Sequence, residues 1–404
     1  MKNPRDPVRR LAVVLSHPTQ YYSPWFRHLA ASGRLDLKVF YLWDFGVRAQ
    51  FDPGFRTTVK WDVDLLSGYS HAFVPNQAKR PGTDRFLGLR NPGLTAALSE
   101  WNPDAILVFG YKSYTHLRLI FWARIRGIPL VFRGDSHFIG RAQPGFARKL
   151  LLRLIYRQFS AITYVGSANR DYFKALGVQD NHLFFAPHSV DDSLFDATDP
   201  RHLAAAAILR KELGLSPSTR VFLFAGRLVP EKQPRELLEA FLSLCRNDTA
   251  LVFVGEGTEK ASLQATAGNS PESQHGPKVR FLPFANQSEM PSRYLLADVF
   301  VLPSRGVYET WGLAVNEAMH MGIPCIVSDR VGCQQDLVQD GKTGWVFESM
   351  DTAALGRVLA EALRAIESPE RRAEIVANMK NLISAYTYVQ ATDGLVTALA
   401  SLRC

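Results

Sequence analysis

Two glutamates, Glu309 and Glu317, stand eight residues apart in the segment 303–318. The segment reads as a strand end, a loop and then a helix that begins near Gly312, so one carboxylate precedes the helix and the other lies about a turn inside it. The first N–H groups of a helix lack intrahelical partners and carry partial positive charge, which suits a phosphate. Carboxylates beside such an anion site would accept hydrogen bonds from hydroxyl groups. The pattern predicts a ligand in which a sugar is joined to a diphosphate.

The spacing alone is weak evidence for a site, because Glu231 and Glu239 form a second pair with the same separation. From the glutamate content of the chain, on the order of one such pair is expected by chance. The second pair belongs to a single turn and its helix, and we interpret it as incidental. A glutamate on a helix more often marks a solvated face than a site.

A pair of cations follows the apolar run Val221–Ala225, in the sequence Gly-Arg-Leu-Val-Pro-Glu-Lys. Arg227 and Lys232 would stand at a strand-to-helix junction, where a guanidinium fork and an ammonium charge suit a diphosphate. Two solvated surface cations are the alternative. Gly255 and Gly257 form a Gly-x-Gly turn after the next strand, which alone is weak evidence for a site. Phe284 follows a further strand, where the backbone could contact a nucleobase.

Five short motifs lie between residues 224 and 347. In chain order they are Gly-Arg-Leu-x-x-x-Lys, Gly-Glu-Gly, Glu-x7-Glu, Ala-Met-x-x-Gly-Ile-Pro-x-Ile and Asp-Gly-Lys-Thr-Gly-Trp-Val-Phe. Together they resemble the donor domain of the family-four retaining glycosyltransferases of the GT-B fold. The resemblance implies an α/β protein with two doubly wound Rossmann-like domains facing a cleft, and a C-terminal helix that crosses back to the first domain. It implies transfer of a sugar from a UDP- or GDP-linked donor to a hydroxyl of a glycan, lipid-linked or small-molecule acceptor, with no metal or cofactor.

The same resemblance implies roles for individual residues. Arg227 and Lys232 would bind the donor diphosphate and take part in catalysis, and Glu309 would hold hydroxyls of the transferred sugar. Gly312 and Leu313 would offer backbone N–H groups to the phosphates. Glu317 would accept from the ribose hydroxyls. The full donor site implied is Arg227, Lys232, Gly255, Gly257, Phe284, Glu309, Gly312, Leu313 and Glu317.

The first half departs from the family pattern at two places. The loop after the first strand, residues 17–24, contains no glycine, and its side chains predict an acceptor site at His17, Gln20 and Tyr21. A simple capping loop is the alternative. The histidine that is catalytic in relatives is also missing. By alignment Asp135 takes its position and His137 follows two residues later, so both are candidates for catalysis.

Short apolar strands alternate with helical patterns in two series, which is typical of parallel α/β folds. A break near Asp191–Arg201 separates the series. We predict an acceptor-binding domain over 1–195, a donor-binding domain over 205–380 and a returning helix over 381–404. The predicted strands are Leu11–Leu15, Leu37–Leu42, Ala105–Phe109, Leu130–Phe132, Ala161–Val165, Val221–Ala225, Leu251–Val254, Val279–Phe281, Val299–Leu302, Ile323–Val327 and Trp345–Phe347.

Positive charge is concentrated in the first half: residues 1–200 hold 26 Lys+Arg and 16 Asp+Glu, against 21 and 22 in the remainder. An anionic partner is therefore expected. The helical pattern Arg148–Phe159 combines cations with apolar residues, which fits either an interfacial helix on anionic lipid or an ordinary packed helix with a solvated basic face. No nucleic-acid-binding motif is present. Scattered cysteines and the lack of a long apolar run favour a cytoplasmic protein, with peripheral membrane association an open option.

Asp62-Val63-Asp64 fits the metal-binding motif of the other large glycosyltransferase fold. It lies far from the donor motifs in sequence, so we expect a solvated turn and no metal site. Two other functions remain open. A nucleotide-sugar epimerase or hydrolase would use a similar fold, and a non-catalytic protein could bind sugar nucleotides or polysaccharide.

Overall fold

The computed structural model describes residues 10–47, 50–52, 57–142, 144–269, 278–306 and 309–402. Its first part contains, in chain order, β1 (Arg10–Leu15), α1 (Tyr22–Ala31), β2 (Asp36–Tyr41), β3 (Gln50–Asp52), β4 (Thr57–Val59), β5 (Ser70–Phe73), α2 (Leu94–Trp101), β6 (Ala105–Phe109), α3 (Tyr114–Arg126), β7 (Leu130–Arg133), α4 (Phe146–Tyr156), β8 (Ala161–Tyr164), α5 (Ser167–Ala175) and β9 (Leu183–Phe185). The second part contains α6 (Pro200–Glu212), β10 (Arg220–Ala225), α7 (Pro234–Leu242), β11 (Thr249–Val254), α8 (Lys260–Asn269), β12 (Lys278–Leu282), α9 (Met290–Leu295), β13 (Val299–Leu302), α10 (Leu313–His320), β14 (Cys325–Ser328), α11 (Gln334–Leu337), β15 (Gly344–Phe347), α12 (Thr352–Glu367), α13 (Pro369–Ile383) and α14 (Tyr388–Ser401).

The first domain is built on a seven-stranded sheet with the order β5-β2-β1-β6-β7-β8-β9, in which every neighbouring pair is parallel. Central strands such as β6 are apolar and buried along their whole length, as expected for strands covered on both faces. Residues of α2, α3, α4 and α5 pack on one face of this sheet. Residues of α1 and α14 pack on the other.

The second domain is built on a six-stranded parallel sheet with the order β12-β11-β10-β13-β14-β15. One face is covered by α7, α8 and α12, and the opposite face by α9, α10, α11 and α13. Both sheets reverse strand order beside their first strand, β1 or β10. In such folds ligands bind at the carboxyl ends of the strands, near that reversal.

The last helix, α14, returns to the first domain. Its Thr392 hydroxyl accepts a hydrogen bond from Trp25 Nε1 at 3.1 Å. Gly394 permits a close approach to β9, because a Cβ at this position would lie 1.8 Å from the carbonyl oxygen of Phe185. The two doubly wound domains and the returning helix confirm the predicted fold class.

The sequence prediction missed three small elements and placed several strand ends one or two residues from where they lie. The edge strands β5 and β9 and the β3–β4 hairpin are only three or four residues long, and of these only β9, Leu183–Phe185, is apolar throughout. The strand predicted from Ile323 begins at Cys325 instead, after Pro324, which has no N–H to donate to a strand ladder.

No helix in the described ranges is both long enough and apolar enough to cross a membrane. Among the described residues, Cys245, Cys325 and Cys333 form no disulfide, and the latter two are buried. Cys404 lies outside the described residues.

Candidate active site

A cleft of about 510 Å³ separates the two domains at the carboxyl ends of their strands. Its lining comes from the segments that follow β1, β7, β9, β10, β11, β12 and β13. Most of the residues predicted from sequence line it, namely Gln20, Tyr21, Asp135, Arg227, Lys232, Gly255, Phe284, Glu309, Gly312, Leu313 and Glu317. His17, His137 and Gly257 are absent from this lining.

The N-terminus of α10 opens into the cleft at Gly312, Leu313 and Ala314. Gly312 caps the helix with φ +102°, a conformation that side chains disfavour. A Cβ on Gly312 would also lie 2.9 Å from Cγ1 of Val331. Glycine is therefore required here both for the turn and for packing, and the helix end presents its N–H groups to the cleft.

Lys232 and Glu309 form an ion pair on the second-domain side of the cleft, through Lys232 Nζ and Glu309 Oε2. Their side chains are 17% and 12% exposed. Arg227 follows β10 and lines the same cleft, and its guanidinium has no ion pair or hydrogen bond to the part of the chain that the structure describes. The site thus holds one neutralised cation and one unneutralised cation beside a helix N-terminus.

The carboxylate of Glu317 is buried at the floor of the cleft and is held by three donors. Tyr21 Oη and Gln287 Nε2 each donate to Oε1 at 3.0 Å, and Tyr294 Oη donates to Oε2 at 2.6 Å. Burial raises the pKa of Glu317, against the lowering effect of these hydrogen bonds. Tyr21 belongs to the first domain, so this carboxylate also joins the two domains.

Asp135 faces the cleft from the first domain, with its side chain 39% exposed. Its Oδ2 accepts from Thr310 Oγ1 at 2.7 Å and lies 3.7 Å from Nε2 of the buried His188. Burial alone would raise the pKa of Asp135, but the contact with His188 and the hydrogen bond from Thr310 lower it to about 2. Asp135 is therefore held as a carboxylate that can accept hydrogen bonds from a ligand.

His137 is buried beneath the site. Its Nδ1 accepts from the backbone N–H of Ile139 at 3.0 Å, so the proton of the neutral ring is on Nε2, which lies 3.3 Å from the carbonyl oxygen of Glu309. Burial lowers the pKa of His137, which favours this neutral form. Both ring nitrogens are engaged, and the geometry supports a role in positioning the Glu309 backbone.

His17 and Gly257 support the walls without lining the cleft. The ring of His17 packs edge-on against Trp43 and Phe45, and burial lowers its pKa to about 4. A Cβ on Gly257 would lie 2.2 Å from the carbonyl oxygen of Leu228, so this glycine allows two loops to pack closely.

Several lining residues were not predicted, among them Tyr22, Trp61, His188, Thr310 and Trp311. Beneath them lies a buried arginine, whose guanidinium donates to the carbonyl oxygens of residues 186 and 187 at 2.8 and 3.1 Å. This is Arg133, the last residue of β7, and its guanidinium carbon lies 4.8 Å from the ring of Trp25. The sequence did contain a signal for this residue: an arginine at the end of an apolar strand indicates a buried charge, which needs hydrogen-bond acceptors around it.

The Asp62-Val63-Asp64 segment is an exposed turn, as expected, but it is not merely solvated. Asp62 accepts from the backbone N–H of Ser288 in the second domain, at 3.3 Å, and from its hydroxyl. The side chain of Asn286 donates to the carbonyl oxygen of Lys60 at 2.7 Å. The turn therefore links the two domains beside the cleft. Within the described ranges, no three His, Cys, Asp or Glu side chains are grouped as a metal ion would require.

Part of the sequence is similar to known proteins. Residues 206–381 match the family model of glycosyl transferases group 1. The chain is 33% identical over 247 residues to the GDP-mannose-dependent alpha-(1-6)-phosphatidylinositol monomannoside mannosyltransferase of Mycolicibacterium smegmatis, over 58% of this chain and 62% of that one. It is also 33% identical over 267 residues to the UDP-Gal:alpha-D-GlcNAc-diphosphoundecaprenol alpha-1,3-galactosyltransferase of Escherichia coli, over 63% and 66%. The chain thus spans slightly less than two thirds of the length of either relative.

A solved structure covers nearly the whole chain. The crystal structure of Anabaena Alr3699/HepE in complex with UDP and glucose superposes with a TM-score of 0.71 at 18% identity, over 97% of this chain and 100% of that one. This match confirms the GT-B fold expected from the motifs. The comparisons support the group 1 glycosyltransferase family, and the roles of individual residues stay predictions.

Proposed function

We propose that this chain is a retaining glycosyltransferase that moves a sugar from a UDP- or GDP-linked donor to a hydroxyl of a glycan, lipid-linked or small-molecule acceptor. The observation that supports this most directly is the grouping in one interdomain cleft of a helix N-terminus, Arg227, the Lys232–Glu309 ion pair and the buried Glu317. The match of residues 206–381 to group 1 glycosyl transferases points the same way.

In this proposal the donor diphosphate lies against the N-terminus of α10. Arg227 pairs with one phosphate, and Lys232, which has three N–H donors, contacts the other while keeping its bond to Glu309. As the glycosidic bond breaks, negative charge grows on the diphosphate. Donors already fixed around that charge stabilise it without reorganisation. These fixed cations would serve in place of a metal ion.

The ribose would bind at Glu317. A carboxylate has about four acceptor positions, and three of them are used by Tyr21, Gln287 and Tyr294. The remaining position is available to a ribose hydroxyl. The base would lie farther along the cleft, where the rings of Trp61 and Phe284 approach to 6.5 Å from opposite domains.

The acceptor would enter on the first-domain side, where Asp135, Gln20 and Tyr21 line the cleft. Asp135 would accept a hydrogen bond from a sugar or acceptor hydroxyl. In the step itself, the bond between the anomeric carbon and the phosphate oxygen breaks and the acceptor oxygen bonds to that carbon on the same face. The acceptor proton passes to the leaving phosphate oxygen. Positioning by the two domains would supply much of the rate.

The test is to incubate the purified protein with UDP- and GDP-sugars, with and without a panel of hydroxyl acceptors, and to follow products by NMR. We expect acceptor-dependent release of the nucleoside diphosphate and retention at the anomeric carbon. An epimer or free sugar formed equally fast without acceptor would instead establish an epimerase or hydrolase. Donor binding with no turnover under any condition would establish a binding protein.

A substitution tests the diphosphate site directly. Arg227→Ala should reduce turnover by at least about a hundredfold, since it removes a preorganised charge at the leaving group. Arg357→Ala on α12 is the matched control, because this arginine is 71% exposed and away from the cleft. Near-normal turnover by Arg227→Ala would refute the assignment.

A further inference from the structure

Exposed apolar side chains are concentrated on one part of the first domain. Nine of the fourteen large apolar side chains that are exposed in the described residues lie on α3, on α4 or just before α2. They are Phe86, Leu87, Leu117, Phe121, Ile125, Phe146, Leu150, Leu151 and Leu154. Scattered exposed apolar residues are normal on a protein surface, but a group of this size marks an interaction site.

The outward faces of the two helices show a regular pattern. On α3, an exposed apolar residue recurs every fourth position at 117, 121 and 125, and α4 repeats this at 146, 150 and 154. Phe121 is 69% exposed and Phe146 is 84% exposed. Residues four apart lie on one side of a helix. Each helix therefore has an apolar stripe on its solvent side, in addition to the apolar side that packs on the sheet.

The stripes lie on two helices of the same layer. α3 connects β6 to β7 and α4 connects β7 to β8, so the helices are neighbours on the same side of the sheet. Their inner residues, such as Ile120 and Leu152, join the same buried cluster. Phe86 packs edge-on against Tyr114 at the start of α3. We call the exposed residues of α3 and α4, together with Phe86 and Leu87, the apolar–basic face.

The charge of this region has one sign. Residues 112–157 contain ten Lys+Arg and a single acidic residue, Asp135, which lies in the cleft. Apart from the buried Arg133, these cations are partly or fully exposed. A second copy of the chain would bring two basic surfaces together, and nucleic acid would leave the aromatic and leucine side chains of the stripes without an apolar partner. Anionic lipid satisfies both kinds of side chain.

We propose that the apolar–basic face docks on the surface of an anionic lipid bilayer. The stripes would enter the boundary between headgroups and acyl chains, and the surrounding cations would contact lipid phosphates. α4 begins directly after the segment that carries Asp135, so docking would bring the first-domain side of the cleft close to the lipid. This inference goes beyond sugar transfer and does not depend on it.

Vesicle co-sedimentation tests the proposal. The protein should sediment with vesicles of mixed phosphatidylglycerol and phosphatidylcholine and much less with phosphatidylcholine alone, and salt should weaken the binding. Each cation near an anionic surface contributes about fivefold to binding, so Arg148→Gln with Lys149→Gln should weaken it about 25-fold. Phe146→Ser with Leu150→Ser should weaken vesicle binding at least about tenfold, because two apolar side chains that would enter the bilayer are lost.

Matched controls use exposed residues elsewhere. Leu203→Ser with Ile208→Ser removes two apolar side chains of α6 that are 48% and 59% exposed, and Arg357→Gln removes an exposed cation of α12. Both should bind vesicles as the unmodified protein does. Because the altered side chains are exposed, or partly exposed in the case of Lys149, melting temperatures and donor binding should not change, which separates a failure of this inference from a failure of the proposed function.

Three results would overturn the proposal. The first is no sedimentation with anionic vesicles at low salt. The second is equal binding by the apolar–basic variants and the controls. The third is a concentration-dependent dimer in sedimentation velocity that Phe146→Ser with Leu150→Ser abolishes, which would assign the face to a second copy.

Discussion

Glu317→Gln is the substitution that tests the cleft most sharply, because it changes one oxygen in a buried carboxylate that already accepts three hydrogen bonds. The carboxylate accepts from Tyr21, Gln287 and Tyr294, and it is 3% exposed. A glutamine of the same shape can keep two of these donors on its carbonyl oxygen. Its NH₂ group then faces the hydroxyl of Tyr294, which lies 2.6 Å from the native carboxylate. One buried donor is left without an acceptor.

The expected cost follows from that lost acceptor. An unsatisfied buried donor costs about 1–3 kcal/mol, and the removal of a buried charge offsets part of it. We therefore expect the free energy of unfolding of the second domain to fall by about 1–2 kcal/mol, or a Tm lower by about 2–8 °C. Loss of the acceptor for ribose should also weaken nucleoside diphosphate binding about tenfold.

The pH dependence has a definite sign. Burial raises the pKa of Glu317 above its ordinary value of 4.5. The folded protein therefore holds this proton more tightly than the unfolded chain, and stability from this group is fully present below pH 4.5 and is lost as the pH rises through the folded pKa. Glutamine does not titrate. The stability gap between the native protein and Glu317→Gln should therefore be largest in acid and should narrow toward neutral pH.

Urea unfolding at a series of pH values measures the gap, and titration calorimetry with UDP and GDP measures binding. Glu239→Gln is the matched control: it belongs to the incidental pair with the same spacing, and its side chain is exposed on α7. The control should change neither stability nor binding. A gap for Glu317→Gln that widens with rising pH would refute the reasoning, because it would mean that the fold stabilises the ionised form.

Other predictions concern the same cleft. Gly312→Ala should destabilise the protein by about 1–3 kcal/mol and weaken donor binding, since an alanine there would have φ +102° and a Cβ 2.9 Å from Val331. The control is Gly322→Ala, at a position with φ +76° and open space around it, which should keep normal donor binding. Calorimetry measures donor binding by both variants. Tyr21→Phe should cost about 1 kcal/mol by urea unfolding, and a double-mutant cycle with Glu317→Ala, which removes the acceptor, should show coupling; additive effects would mean that the 3.0 Å contact contributes nothing. Transfer should retain full activity in EDTA, and strict dependence on Mn²⁺ would contradict the role given to the fixed cations.

The sequence by itself determined the fold class and the donor half of the cleft. Strands buried on both faces are continuous apolar runs, so β6, β10 and β13 were recognisable without a structure. Arg227 follows the end of β10 closely, and Gly312 ends the loop that leads from β13 to α10. Because strand ends of a parallel sheet meet at one edge, local order was enough to predict that they line one cleft, and they do.

Only the tertiary structure decided what depends on distant contacts. Tyr21 meets Glu317 across 296 residues, and no local pattern records that bond. His137 carries the residue type expected for catalysis, yet its ring is directed to the carbonyl oxygen of Glu309. The helical pattern at 148–159 left two interpretations open, because periodicity shows which residues share a side of a helix but not what covers that side. The packing of α4 through Leu152 and Tyr156 leaves its other leucines exposed, and that surface became visible only in the folded chain.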